Sequence, residues 1–293
     1  MDSTADHVIR VMTDDHAFRV IACDTTETAR AILEIQGATG GAAQALAELV
    51  TATVLVRETM SPSLRVQGIA KSGDGRGSLL ADAHPDGGTR GLAQLKSPEG
   101  GGEFTFGQGA ILQMMRSLPN GSMHQGIVKL EGTQSTGGAS GLSQALMVYL
   151  QESEQVVSVA AVGARFEEGI LRRAGGYIVQ LLPDAERPTH AIMTQRLEDF
   201  SAIDQLLGQA DFGAQLLIDE LLYGMPSSEL ATTPVSFVCQ CSEAALLSAL
   251  ATLGRAELVN MVEEGNGLDI TCDYCKEDYA IAIERLRALL EES

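Results

Sequence analysis

Val238-Cys239-Gln240-Cys241-Ser242 and Ile270-Thr271-Cys272-Asp273-Tyr274-Cys275 hold four of the five cysteines in this 293-residue chain. The pattern is C-x-C, thirty residues, then C-x-x-C. Two close pairs, each on a turn, can supply four thiolates at tetrahedral angles around one ion, with metal–sulfur bonds of about 2.3 Å. Cys239, Cys241, Cys272 and Cys275 are therefore expected to bind one zinc ion per chain in the reduced state. A site filled by four cysteines has no open position, so the metal reads as structural rather than hydrolytic. Two plainer readings fit less well. Four inert core thiols would not stand beside the polar Ser242, Asp273 and Lys276. A thioredoxin-like Cys272-Asp273-Tyr274-Cys275 would open a helix after a strand in a βαβ unit, and the flanking pattern here is a compact lobe with a second cysteine pair.

The residues around the pairs predict that lobe, at 237–293. Ser242 is placed to cap a helix carrying Leu246, Leu250 and Leu253 and ended by Gly254. A second helix is predicted over about 256–264, ended by Gly265. Asn266-Gly267 then turns the chain into a strand with Leu268, Ile270 and Cys272 on one face. A last helix over about 278–291 should bury Ile283, Leu286 and Leu290. A lobe of 57 residues is marginal alone. Structural zinc contributes about 10–16 kcal/mol in small domains, as much as the roughly 5–15 kcal/mol by which whole domains are stable. Metal loss is thus expected to unfold the lobe. Metal-bound sulfurs are already thiolates, the reactive form. The close pairs Cys239–Cys241 and Cys272–Cys275 can close local disulfides, so an oxidant could release zinc and melt the lobe in one event.

Upstream, residues 1–183 read as one large mixed α/β domain, making the whole chain α+β. Phe18–Cys23, Ser63–Ala70 and Tyr177–Leu182 have strand composition. Gly73–Gly77, Asp86-Gly87-Gly88 and Gly100-Gly101-Gly102 read as loops. Gly41–Ala52 and about Gln144–Ser153 read as helices. Residues 184–236 change character and form a predicted helical regulatory linker. It opens on the polar break Pro183–Pro188 and continues as a helix over Ala202–Tyr223. Leu206, Leu207, Phe212, Leu216, Leu217, Leu221 and Leu222 make that helix too apolar to hang free. Ser227–Pro234 reads as a second break.

Composition narrows the classes. With 45% apolar residues, 4% aromatics and no Trp, the core must be built from Ala, Leu, Val and Ile. A net charge of −19 would repel nucleic acid and anionic membranes. The N-terminus MDSTADHVIRVMTDD has no apolar core and is not a signal peptide, and no run of about 18 apolar residues exists. A cytoplasmic protein is expected, where thiols stay reduced. Cys23, in an apolar strand context, reads as core packing. His7, His16, His84, His124 and His190 have neither metal nor triad spacing. Gly107-Gln108-Gly109 lacks the third glycine of a dinucleotide fingerprint, and Asp74 and Arg76 read as turn residues. Nothing suggests catalytic residues, and the chain is not expected to be an enzyme.

Several stretches resemble one family. Val238–Ser242, Leu250-Ala251-Thr252-Leu253-Gly254-Arg255-Ala256-Glu257-Leu258 and Ile270–Cys275 are similar to the heat shock protein 33 family (33 kDa chaperonins). So are Tyr149–Gln155, Gly175–Pro183 and Asp24-Thr25-Thr26-Glu27. The resemblance spans nearly the whole chain, and the cysteine lobe is its most specific part. It departs from the family in a Met-bearing Gly107–Met115 and a Gly/Ser/Thr-rich Gly132–Gly141. The resemblance implies a cytosolic, redox-switched, ATP-independent holdase in stress response. Its reduced, zinc-bound form would be inactive. Oxidation would form two disulfides, release zinc and unfold the lobe and linker, exposing surface that holds unfolded client proteins. A reduced monomer and an oxidised homodimer are implied. The four redox-active ligands carry over onto Cys239, Cys241, Cys272 and Cys275.

Overall fold

The structure is a computed structural model that describes residues 5–96, 105–118, 121–130, 141–183, 193, 197, 203–263, 265 and 267–292. The described chain divides by contact into two units, Met1–Val238 and Cys239–Ser293. The loop at Gly100–Gly102, most of the Gly132–Gly141 stretch, the break after Pro183 and His190 lie outside the described residues.

The first unit is two sheets with a helix between them. One sheet runs β10-β1-β2-β9-β8, from β1 (His7–Thr13), β2 (Phe18–Asp24), β8 (Ser158–Glu167), β9 (Ile170–Leu181) and β10 (Ser227–Pro234). The other runs β11-β5-β4-β3-β6-β7. Its strands are β3 (Val66–Lys71), β4 (Gly77–Ala83), β5 (Gly88–Leu95), β6 (Ala110–Ser117), β7 (Met123–Leu130) and β11 (Ser236–Phe237). All pairings are antiparallel except β11 on β5. Helix α1 (Thr26–Gln36) leads into α2 (Gly40–Thr59), which packs on both sheets. Sixteen of the twenty α2 residues are buried, so this helix is apolar all round rather than striped. Its Ala42, Ala43, Ala45, Ala47 and Ala52 let strands approach closely. Gly68 in β3 marks one approach, since a Cβ there would lie 2.4 Å from Thr53 Oγ1. Helix α3 (Gly141–Glu152) packs on β7 and β8.

The described part of 184–236 folds into this unit. The predicted continuous helix over Ala202–Tyr223 is instead two short ones, α4 (Ile203–Leu206) and α5 (Ala214–Leu221). Gly208 and Gly213 lie between them, and the chain turns there instead of continuing. Leu206, Leu207, Phe212, Leu217 and Leu221 bury against Ile9, Val11, Val20, Ala22, Tyr177 and Val179 on the outer face of the five-stranded sheet. Two strand glycines make the seat. A Cβ on Gly163 would lie 2.8 Å from Leu207 Cδ1, and one on Gly175 2.6 Å from Phe212 Cζ. Ser227–Pro234 is not a break but strand β10, paired along the free edge of β1. Its mostly exposed Ser-Ser-Glu-Leu-Ala-Thr-Thr-Pro carries little strand signal because an edge strand needs only backbone partners.

The second unit holds α6 (Glu243–Leu250), α7 (Arg255–Glu263), the hairpin of β12 (Leu268–Thr271) and β13 (Asp278–Ile281), and α8 (Ile283–Glu292). The predicted last helix over 278–291 thus loses its first turn to a strand. Asp278-Tyr279-Ala280-Ile281 alternates exposed and less exposed side chains and pairs with Leu268–Thr271. The predicted cap is present, with Ser242 Oγ accepting from Ala245 N at 3.2 Å. Of the residues expected inside, Leu286 is fully buried, whereas Ile283 and Leu290 are half-buried.

Candidate metal centre

One half of the centre is a turn. Cys272 opens it, and it is closed by Lys276 N donating to Cys272 O (2.8 Å) and Cys272 N donating to Glu277 O (2.8 Å). Lys276 takes a left-handed backbone, φ 61°, to complete it. The β12–β13 hairpin flanks this turn and fixes its direction. The other half, Cys239-Gln240-Cys241, lies immediately before the Ser242 cap of α6.

The fold brings the two halves together. All four sulfurs lie within 4.8 Å of one another, with Cys239 Sγ 3.7 Å from Cys272 Sγ and Cys241 Sγ 3.3 Å from Cys275 Sγ. Tetrahedral bonds of about 2.3 Å put sulfurs roughly 3.8 Å apart, close to the first of these distances. Disulfide sulfurs would lie about 2.05 Å apart, and none of these four is in a disulfide. Among the described residues, Cys239, Cys241, Cys272 and Cys275 form the cluster that could hold a metal ion. The donor set is all thiolate, which favours soft or borderline ions and disfavours magnesium and calcium.

The electrostatics suit a cation. Burial works against the Cys272 thiolate. The N–H groups of Cys275 and Tyr274, with the Cys275 and Cys239 sulfurs, outweigh it and bring the thiol down to about 7. Burial pushes the Cys275 thiol up, and interactions with the Cys241, Cys272 and Cys239 sulfurs take it to about 12 against one opposing N–H from Glu277. Four thiols in so small a space cannot all ionise without a positive charge among them, and a divalent cation would remove that repulsion. The sequence gives no hint of one more participant. Tyr279 Oη donates to Cys241 Sγ at 3.1 Å, and its own proton is held above the usual phenol range chiefly by that bond. The hairpin register that brings Tyr279 near the cluster arises only on folding.

The other candidates are not members of this cluster. Cys23 is fully buried in β2, and burial pushes its thiol well up, which removes reactivity. Asp74 and Arg76 pair at 3.1 Å within the β3–β4 turn. His84 Nε2 lies 3.6 Å from Oδ2 of the buried Asp82, a carboxylate that also pairs with Arg65 and Arg90. His7 Nδ1 bonds the Ala5 carbonyl at 2.8 Å, His16 sits in a turn and His124 on β7. No single helix among the described residues is long and apolar enough to cross a membrane.

Comparison with known proteins agrees with this architecture. The fold matches the crystal structure of a 33 kDa chaperonin, a heat shock protein 33 homolog, from Thermotoga maritima. The TM-score is 0.78 over 99% of both chains at 18% identity. The 33 kDa chaperonin of Syntrophotalea carbinolica is 31% identical, with 97% of this chain and 99% of the relative aligned. That of Clostridioides difficile is 26% identical over 98% and 99%. The family model described as Hsp33 protein matches residues 6–282, and with these relatives it establishes that the chain belongs to the Hsp33 family of chaperones.

Proposed function

We propose that this chain is a redox-regulated, ATP-independent holdase whose switch is a zinc centre at Cys239, Cys241, Cys272 and Cys275. The observation that carries the reading is the convergence of four thiols within 4.8 Å, in a unit whose buried apolar side chains, among the described residues, are Leu247, Leu258, Ile281 and Leu286. Zinc, when bound, supplies the cross-link that so small a core does not. Oxidation would join Cys239 to Cys241 and Cys272 to Cys275, releasing the metal and with it the fold of the lobe.

Two features support transmission into the first unit. Cys239 follows directly on Val238, whose N–H bonds Thr89 O at 3.0 Å, and β11 is only two residues long. The helices α4 and α5 are short, and they cover an apolar sheet face. Their release would uncover Val11, Val20 and Val179, and burial of such surface is favourable at about 25 cal/mol per Å² whatever the client's sequence. A half-exposed face already exists on the six-stranded sheet, where Ile69, Leu80, Ile111, Met115 and Ile127 share the side away from α2. The net charge of −19 would keep a protein with such surface dispersed. We place this action in the cytoplasm, on unfolded proteins, with a monomer when reduced and a homodimer when oxidised.

The test combines three measurements before and after peroxide: zinc content, hydrogen exchange, and suppression of aggregation of a denaturing protein. The expected result is one zinc per reduced chain, its loss on oxidation, deprotection from about residue 184 to 293, and activity in the oxidised form alone. Equal client holding by the reduced protein, or zinc loss with 184–293 still protected, would replace this reading with a constitutive zinc-lobe interaction module.

A further inference from the structure

The four sulfurs are not served alike by their surroundings. Cys272 accepts N–H bonds from the backbone of Cys275 and Tyr274, and Cys275 one from Glu277. Those donors belong to the turn itself. Cys241 is served by a side chain, the phenol of Tyr279 at 3.1 Å. That phenol is aimed by β13, where Tyr279 pairs with Ile270 across the hairpin. Tyr279 is half-buried and lies four residues beyond Cys275, outside the ligand motif.

A hydrogen bond to a thiolate withdraws electron density from the sulfur lone pairs, the same lone pairs that attack an oxidant. We propose that Tyr279 is a positioning residue that damps the nucleophilicity of Cys241 and so sets the oxidant level at which the centre opens. This rests on the redox-switch reading above. The step it governs is a two-electron one. A thiolate sulfur attacks one oxygen of hydrogen peroxide, the O–O bond breaks, and hydroxide leaves to become water on taking a proton. A second thiolate attacks the sulfur of the sulfenic acid so formed, making the S–S bond as the S–O bond breaks and a second hydroxide leaves. With Tyr279 in place, Cys241 is a poor first attacker. Without it, Cys241 becomes a competitive one.

A hydrogen bond to a charged acceptor is worth about ten- to a hundredfold in an equilibrium constant. Nucleophilic rate constants follow that change to a power of about 0.4–0.5. Tyr279→Phe should therefore lose zinc to peroxide about three- to tenfold faster than the unsubstituted protein. Loss to an excess of chelator should be unchanged or slower, because a sulfur relieved of that hydrogen bond donates to the metal at least as strongly. Replacing zinc by cobalt(II) adds a spectroscopic check, with the sulfur-to-metal charge-transfer band of the variant moving to longer wavelength. Should Tyr279→Phe fail to retain metal, 3-fluorotyrosine placed at position 279 keeps the shape and donates more strongly. It should then slow peroxide-driven release.

Equal acceleration by peroxide and chelator would mean that Tyr279 only packs the lobe, and would overturn the inference. So would peroxide rates indistinguishable from the parent's. The parent protein is the separate control for the switch itself. If it binds no zinc, or keeps zinc through peroxide treatment, the redox-switch reading fails whatever Tyr279 does.

Discussion

The first unit encloses two extended buried clusters, one around α2 between the sheets and one beneath α4 and α5. The second buries Leu247, Leu258, Ile281 and Leu286 with a rim of half-buried side chains, and puts four sulfurs where more core would otherwise be needed. One part of the chain is held by apolar area and the other, on our reading, by a ligand. The difference matters for control. Hydrophobic burial has no chemical handle, whereas a thiolate site can be dismantled by an oxidant in one reaction. A chain built in both ways can keep most of its fold while giving up a chosen part.

The most direct way to break that contrast is to remove the metal without oxidising anything. Chelation of the reduced protein should abolish hydrogen-exchange protection over 239–292 while β2, β9 and α2 stay protected. The lobe would forfeit a stabilisation of about 10–16 kcal/mol, beyond what its small core can replace. Retained protection in the lobe would mean that its apolar contacts suffice.

A smaller effect probes the seam within the first unit. Gly163→Ala places a methyl 2.8 Å from Leu207 and 3.1 Å from Ile203, so the Leu207 side chain or α4 itself must give way. The expected cost is about 1–3 kcal/mol. It should appear as faster exchange in 203–222 and more binding of an apolar dye, with the two-sheet core unaffected. Uniform destabilisation of all strands would show that the outer helices are as integral as α2.

The smallest expected change sharpens the picture of the lobe. Ser242→Ala removes the side chain that accepts from Ala245 N at the start of α6. The loss should be about 1 kcal/mol, read as a few-fold weaker zinc affinity in competition with a chelator. The melting of the first unit should not move. A shift there would mean that the two units unfold together.

Parts of this were legible in the chain because they depend on neighbours in sequence. C-x-C and C-x-x-C each place two sulfurs close together along the chain, Ser242 stands next to the N–H groups it caps, and Gly75 needs only local backbone freedom. Other parts were not. Ser227–Pro234 looks like a break by composition, and becomes a strand because β1 offers an open edge. Ala202–Tyr223 looks like one helix, and divides where Gly208 and Gly213 fall and where Leu207 and Phe212 must drop onto Gly163 and Gly175. Asp278–Ile281 looks helical beside the residues that follow it, yet pairs with β12.

The sequence by itself determined which atoms can bind a metal, because ligand chemistry belongs to side chains and their short-range spacing. Tertiary structure decided that the two cysteine pairs, thirty residues apart, meet within 4.8 Å, and that Tyr279 reaches one of their sulfurs. It also decided that α2 is buried on every side and that α4 and α5 lie on a sheet of glycine seats. These are meetings of residues distant along the chain. Their free energy comes from excluding water over shared surface, and no local pattern records which surfaces will be shared.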